Sequence, residues 1–294
     1  MRILALAMTL TVGLAALSPA QARDQKELLL FDVMFGGLHV ADVVVTMDQT
    51  PESYQSRLEM RTRGVAELFQ DFRADMKSEG GFVVTSARHL TVPSLYTRAW
   101  TSPKMASEMT MRFDSLTGLS QSEERLFNPQ TGAVMQPEDM PWNNRRKPIP
   151  VVPDNLRAGA IDPIAAFIAA RRQVLDFGKS EVRVPIYDGR RRYDIISKVG
   201  KSRSYTIKDQ TRELTPITSR VEPVFGFEPD SEDRMRDSTG TTLFTSDARF
   251  VPVQIILAND MFSSVMNLVA ECTTDPAPCD NFGQKAPQQK SAAN

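Results

Sequence analysis

The chain holds 294 residues, 41% of them hydrophobic, and carries a formal net charge of −1. This length and apolar content suffice for one large domain or two small ones with a sizeable core. A balance so near neutrality shows no excess of basic residues, which argues against a nucleic-acid partner and against general adhesion to acidic lipid.

Arg2 supplies one positive charge, residues 3–17 form an apolar run, and Ser18-Pro19-Ala20-Gln21-Ala22 is a small-residue stretch. These are the n-region, h-region and A-x-A site of a cleavable secretory signal peptide. Residues 1–22 are therefore expected to be removed, Arg23 to open the mature chain, and the periplasm to be its destination. The run is shorter than the roughly 20 apolar residues that a spanning helix needs. No Cys stands at the cleavage point for lipid attachment. No later segment is long and apolar enough to cross a bilayer as a helix, so the mature chain is expected to be soluble and not membrane-spanning.

Residues 23–272 read as a single β-rich domain. Residues 28–35 and 38–47 flank Gly36-Gly37, a two-residue hairpin signal. Over 54–63, Tyr54, Ser56, Leu58, Met60 and Thr62 fall on one face of a strand, with Gln55, Arg57, Glu59, Arg61 and Arg63 on the other. Val65, Leu68, Phe69 and Phe72 then follow i, i+3, i+4, i+7, which predicts a short helical turn near 65–72. Residues 107–113 and 119–127 flank a turn over 114–118.

Residues 128–161 contain Pro129, Pro137, Pro141, Pro148, Pro150 and Pro153, which forbid a central strand and predict a long loop crossing one end of a barrel. A helix is predicted over 162–177: Asp162 caps it, Pro163 suits the first helical position, Ile164, Phe167, Ile168 and Leu175 share a face, and Gly178 ends it. A hairpin over 181–199 follows, turning at Asp188-Gly189 as a type I′ turn that opposes Tyr187 to Arg190, Val184 to Tyr193 and Arg183 to Asp194. Further strands are predicted at 205–208, 214–227, 241–245, 251–258 and 262–271. Cys272 and Cys279 read as a disulfide closing a small loop in an oxidising compartment. The rest of 273–294 is polar and expected to be disordered. The fold class is thus mostly β: an antiparallel curled sheet or open β-barrel around one core-packed helix.

Chemistry is sparse. His39 and His89 are the histidines available as general bases, and neither has a neighbouring Ser or Cys motif. No nucleophile elbow, P-loop, dinucleotide glycine motif or zinc spacing occurs, so no catalytic residue, metal or cofactor is assigned. The carboxylate pairs Glu123-Glu124 and Glu138-Asp139 sit where exposed charges are ordinary. The densest charge cluster is Arg190-Arg191-Arg192 beside Tyr193, with Arg183 across the hairpin. Arginines bind planar anions bidentately, so this patch is a candidate site for a phosphate, a carboxylate or an acidic partner. A solvated hairpin with arginines on alternating faces is the plainer reading. Arg191 is predicted to share the inward face of Val182, Val184 and Tyr193, where a charge needs a partner. Asp162, Asp188 and Asp247 are candidates. The binding set is therefore Arg190, Arg191, Arg192, Tyr193, Asp162 and Asp247.

The string Ile161-Asp162-Pro163-Ile164-Ala165-Ala166, the short helix after it, and Tyr187-Asp188-Gly189-Arg190-Arg191-Arg192-Tyr193-Asp194 together resemble the DUF3108 family of bacterial envelope proteins. Gly64 with Leu68 and Phe69, a Gly80-Gly81 turn leading to Pro93 and Tyr96, Ser246-Asp247 and Pro252-Val253 extend the resemblance over most of the mature chain. It implies exported β architecture and little chemistry. The expectation for function is a non-enzymatic periplasmic binding or scaffold protein whose partner is an envelope lipid, a cell-wall fragment or an exported protein. An apolar ligand or a peptide would lie in a β concavity. The alternative is a carboxylate-based hydrolase of cell-wall or lipid substrates, which needs two acidic side chains facing each other across a cleft. An outer-membrane barrel, the third possibility, is opposed by the charged strand faces, the proline-rich connection and the polar tail.

Overall fold

The computed structural model describes residues 25–282 apart from 65, 68–70, 85–88, 136–149, 259–262, 275 and 281. The segment expected to be a signal peptide lies outside the described residues, as do 283–294 of the end expected to be disordered and half of the helical turn expected near 65–72. Ala66 and Glu67 are helical there.

Among the described residues, fourteen antiparallel strands form one continuous sheet. The first half is a meander of β1 (Gln25–Phe35), β2 (Leu38–Gln49), β3 (Ser53–Thr62), β4 (Arg73–Val84), β5 (His89–Thr101), β6 (Ala106–Phe113) and β7 (Ser120–Phe127). The second half holds β8 (Glu181–Tyr187), β9 (Arg192–Val199), β10 (Arg203–Ile207), β11 (Gln210–Phe225), β12 (Thr239–Thr245), β13 (Pro252–Ala258) and β14 (Ser263–Glu271). The halves join where β1 pairs with β14, giving the order β7-β6-β5-β4-β3-β2-β1-β14-β13-β12-β11-β9-β8, with β10 attached to β11. Helices α1 (Asp154–Arg157), α2 (Pro163–Phe177), α3 (Pro229–Asp237) and α4 (Ala277–Asp280) complete the described elements.

The predicted hairpin at Gly36-Gly37 is present, with Phe35 opposite Leu38. The Asp188 hairpin differs from expectation. Tyr187 opposes Arg192, Val184 opposes Ile195, and the whole pairing is shifted by two residues. The cause is Asp188: its Oδ1 accepts the backbone N–H groups of Arg190 and Arg191 at 2.9 and 2.8 Å, so the turn takes four residues instead of two. A two-residue slip keeps every side chain on its predicted face, and Arg183 still reaches Asp194, diagonally, at 2.6 Å.

Gly80 and Gly81 do not form a turn. They lie inside β4, where the pairing to β5 slips at a bulge between Glu79 and Gly80. A Cβ on Gly80 would sit 2.3 Å from the Val92 carbonyl oxygen and 2.6 Å from Pro93 Cα, so the glycine permits a close strand approach. Strands β4 and β5 and helices α1, α3 and α4 are elements that the sequence pattern did not predict, α1 lying within the segment expected to be a loop.

Helix α2 has the predicted ends. Asp162 Oδ1 accepts from Ile164 N at 3.0 Å and Ala165 N at 2.9 Å, and Gly178 stops the helix in the left-handed conformation. Its buried stripe is Ala165, Ala166, Ile168, Ala169, Arg171 and Arg172. Leu175, expected on that stripe, is 39% exposed, because the neighbouring Val174 is the residue that this turn presents to the core.

This helix packs on residues of β2 and β3 (Met47, Tyr54), of β8 (Val182, Val184, Ile186) and of β11 and β12 (Ile217, Phe244). One helix touches strands from both ends of the sheet order only if the sheet curls around it. The edge strands β7 and β8 come together without pairing: Ser122 Oγ lies 3.2 Å from the Tyr187 hydroxyl and 3.3 Å from the Gly189 carbonyl. The end of the proline-rich connection fills the seam. Gly159 N donates to Gly118 O, while Ile161 exchanges backbone bonds with Pro185 and Tyr187, each at 3.0 Å. The sheet is therefore curled and barrel-like but not closed.

Candidate functional site

The inner face of the sheet divides into a filled end and an open end. At the filled end α2 is fixed by polar clips. Asp162 is fully buried; its Oδ2 accepts from Ser78 Oγ at 2.9 Å, and the Ser78 and Tyr54 hydroxyls share a bond of 3.2 Å. Burial pushes the Asp162 carboxyl up to about 6, against the lowering effect of its bonds from Ala165, Ser78 and Ile164. Burial also raises the Tyr54 hydroxyl, with the Asp162 charge adding to the effect. Nearer the middle of the helix, Arg171 donates to both Glu27 oxygens at 2.8 and 2.7 Å and to the Arg249 carbonyl. Arg172 lies over the Phe82 ring, 3.8 Å from its centroid.

Beyond the helix the same face is apolar. Pairing places Arg98, Met76, Leu58 and Val45 in one row, Trp100, Ala74, Met60, Val43 and Phe31 in the next, and Val33, Met266 and Ile255 in a third. Phe35, Ser264, Leu257 and Gly240 form the rim row. Val33, Val45, Leu58, Met60 and Met266 pack against the buried Phe31 and Val43 yet stay only half-buried. At the rim Phe35 is 46% exposed and Leu257 51%.

Where the two ends meet stands a polar group. Arg98, the first inner position of β5 past Tyr96, donates from Nη2 to Glu124 Oε1 at 2.9 Å, and Ser107 Oγ donates to the same oxygen at 2.7 Å. Arg98 Nε is buried and has no acceptor among the described residues. Across the interior, Tyr193 meets the Phe227 ring edge-on at 6.3 Å and Arg191 lies over that ring at 5.4 Å. Burial, with the Asp188 charge, raises the Tyr193 hydroxyl; the positive charges of Arg191 and Arg98 oppose the rise.

The sequence-derived set is thus only partly assembled. Arg191 and Tyr193 share the inner cluster, with Asp162 at the adjoining end of α2. Arg190 is exposed, and its backbone bonds Asp188. Arg192 is turned elsewhere: Nε donates to the Leu156 carbonyl at 3.0 Å and Nη1 to Asp194 at 2.5 Å. Asp247 shapes the β12–β13 turn, accepting from Thr245, Arg249 and Phe250. Of the partners considered for Arg191, Asp188 binds its backbone, and no carboxylate of the described residues pairs with its guanidinium. Cys272 and Cys279 are bonded to each other. His39 bonds Asp42 at 2.8 Å near the β1–β2 turn, and His89 opens β5 with its side chain outside the described set. Glu138 and Asp139 also lie outside it.

Sequence reading missed Arg98, Arg171 and Glu27, and it set Glu124 aside as an ordinary exposed charge. The signal for Arg98 was its place between Tyr96 and Trp100 in an alternating strand. Arg171 sits three residues from Ile168, on the face already assigned to the core.

On the outer face, Asp48, Thr50, Ser53, Gln55, Glu79 and Ser94 line an open cleft of about 460 Å³. Among the described residues no group of three or more His, Cys, Asp or Glu is placed to hold a metal ion, and no helix is long and apolar enough to cross a membrane.

Fold and inner face together define a barrel-like, unclosed antiparallel sheet wound around a single helix, with an apolar wall left partly open. The chain belongs to the DUF3108 family, described as proteins of unknown function, whose pattern matches residues 30–269. Two of the similar solved structures illustrate the fold. One is a β-barrel-like DUF1849 protein from Brucella abortus, 9% identical, with a TM-score of 0.46 over 85% of this chain and 98% of that one. The other is a protein with a YmcC-like fold from Bacteroides fragilis, 8% identical, with a TM-score of 0.30 over 85% and 97%. Comparison with curated proteins finds no match.

Proposed function

We propose that this chain is an exported, non-catalytic binding protein of the cell envelope that holds an apolar ligand against the inner face of its sheet. The observation that carries the reading is the apolar wall beyond α2, which ends in Phe35 and Leu257 at 46% and 51% exposure. A contiguous apolar surface left accessible inside a curved sheet is what a ligand site needs and a finished core avoids. Export is supported by the signal-like residues 1–22 and by the Cys272–Cys279 bond, which belongs in an oxidising compartment. The test is to purify the mature protein from periplasm, extract it with organic solvent, and identify retained molecules by mass spectrometry, alongside binding of an apolar fluorescent probe. A retained amphiphile and saturable probe binding are expected. An empty extract together with no probe binding overturns the reading.

The outer cleft favours one second reading, a carboxylate hydrolase. Asp48 and Glu79 both face Gln55 from the neighbouring strands, which sets their backbones about 9.5 Å apart. Loss of hydrolysis of a cell-wall or lipid substrate in Asp48→Asn and Glu79→Gln would support it, and an inactive wild type against both substrate classes removes it.

A further inference from the structure

We infer that the polar group at the inner end of the apolar wall is an anion site, and that the ligand is a single-chain fatty acid bound with its carboxylate between Arg98 and Arg191. The inference rests on the reading of the inner face as a ligand site and adds the chemistry of the occupant.

Three observations carry it. First, both arginines have donor capacity left over. Glu124 takes one edge of Arg98, leaving the buried Nε without an acceptor among the described residues. A buried guanidinium N–H of that kind calls for a partner. Arg191 rests on the Phe227 ring with no carboxylate on its guanidinium among the described residues. The two nearest acids in sequence are engaged elsewhere, Asp188 by two backbone N–H groups and Asp194 by Arg183 and Arg192. Second, Arg191 and Tyr193 both lie on the Phe227 ring, and the charges of Arg191 and Arg98 both act on the Tyr193 hydroxyl, so the two guanidinium groups are gathered about one phenol. Third, the cluster stands at the head of the apolar wall. From the Arg98 row to the rim row of Phe35 and Leu257 is three pairs of residues along the strands, roughly 20 Å, the reach of one long extended acyl chain. A cationic or neutral headgroup would leave the arginines unanswered. A two-chain phospholipid asks for twice the apolar width and a larger polar pole.

The experiment is calorimetric titration of the delipidated mature protein with laurate, dodecanol and dodecyltrimethylammonium, all below their micellar concentrations. Laurate is expected to bind at least about tenfold more tightly than dodecanol, the effect of one hydrogen bond to a charged group. Dodecyltrimethylammonium should bind more weakly than dodecanol. Arg191→Met, which breaks no ion pair among the described residues, should bring laurate down to the affinity of dodecanol and leave dodecanol unchanged. The double variant Arg98→Met with Glu124→Gln, which strands no carboxylate, should do the same. Equal affinity of the wild type for laurate and dodecanol, a preference for the cation, or undiminished laurate binding in both variants overturns the anion site while leaving the apolar site standing. Failure of all three ligands to bind overturns the reading of the inner face itself.

Discussion

Replacing Arg171 by Met removes one half of a pair whose side chains are 3% and 7% exposed, Arg171 and Glu27 respectively. The two bonds that tie helix α2 to β1, at 2.8 and 2.7 Å, are lost together. Glu27 then keeps a bond from Gln25 Nε2 and no cation, so its charge is buried and uncompensated. Stranding one partner of a buried pair in this way costs about 3–5 kcal/mol, a large share of the 5–15 kcal/mol that holds a domain together. The stem carbons of Arg171 are replaced by methionine of similar length, so little of the loss is a cavity. Glu27→Gln should cost less than Arg171→Met, because Gln still accepts one bond from the guanidinium, but the stranded Arg171 charge keeps the loss above 2 kcal/mol. The double variant Arg171→Met with Glu27→Met replaces the pair by apolar volume and should recover most of the deficit. Urea unfolding of the four proteins gives the coupling energy directly. Single variants within 1 kcal/mol of wild type, or a double variant as unstable as the sum of the singles, would refute the argument that this pair fastens the helix inside the sheet.

Three further outcomes are expected. Gly80→Ala should lower stability by about 3 kcal/mol, since its Cβ meets backbone atoms of β5 at 2.3 and 2.6 Å; Gly81→Ala, with 3.2 Å to the Glu52 carbonyl, should cost clearly less, and equal midpoints in urea would contradict the close strand approach. Reducing Cys272–Cys279 opens a ring spanning a sequence separation of 7 and should cost about 2–3 kcal/mol in the chain-entropy account, a fall in Tm of about 5–10 °C by calorimetry; an unchanged Tm would show that the ring holds nothing the sheet does not. Asp162, raised to about 6 when folded, holds its proton more tightly than in the unfolded chain, so its contribution is full below about pH 4 and falls by about 3 kcal/mol as pH rises through about 6. Asp162→Asn keeps a capping oxygen and should abolish that slope, and a wild-type-minus-variant difference that stays constant from pH 4 to 7 would sink the assignment.

Local chemistry was readable in the sequence wherever one residue decides the backbone. Gly36-Gly37, the Asp114 turn, and the Asp162, Pro163 and Gly178 limits of the helix all act within four residues of themselves, and each stands where it was expected. The Asp188 hairpin shows the limit of that reasoning. Asp-Gly favours a two-residue turn by its dihedral angles, but the Asp side chain captures two backbone N–H groups and a longer turn wins. Strands β4 and β5 were hidden for another reason. Their inner residues include Gly80, which lets β5 approach closely, Arg98, whose partner Glu124 lies two strands away, and Ser78, whose partner Asp162 comes 84 residues later. A periodicity test weighs apolar against polar and misses an inward polar residue whose partner is distant.

The same blindness explains the site. Glu124 reads as an ordinary strand charge until β6 and β5 place Ser107 and Arg98 against it, and Arg171, though on the helix's core face, has no visible partner until the sheet brings Glu27 to it. That curl is itself set by α2. Its buried stripe is rich in alanine, with Ala165, Ala166 and Ala169 letting strands from both sheet ends approach closely, while Asp162, Arg171 and Arg172 fix its position through directed bonds to β4, β1 and the Phe82 ring. Directed bonds leave a helix little freedom to slide, so it fills one end of the interior and stops there. The apolar rows on from Leu58 then stay half-exposed among the described residues, and the seam between β7 and β8, closed by Ser122, Tyr187 and the backbone of Gly159 and Ile161 instead of a strand ladder, is the part of the wall that can widen at the least cost in hydrogen bonds.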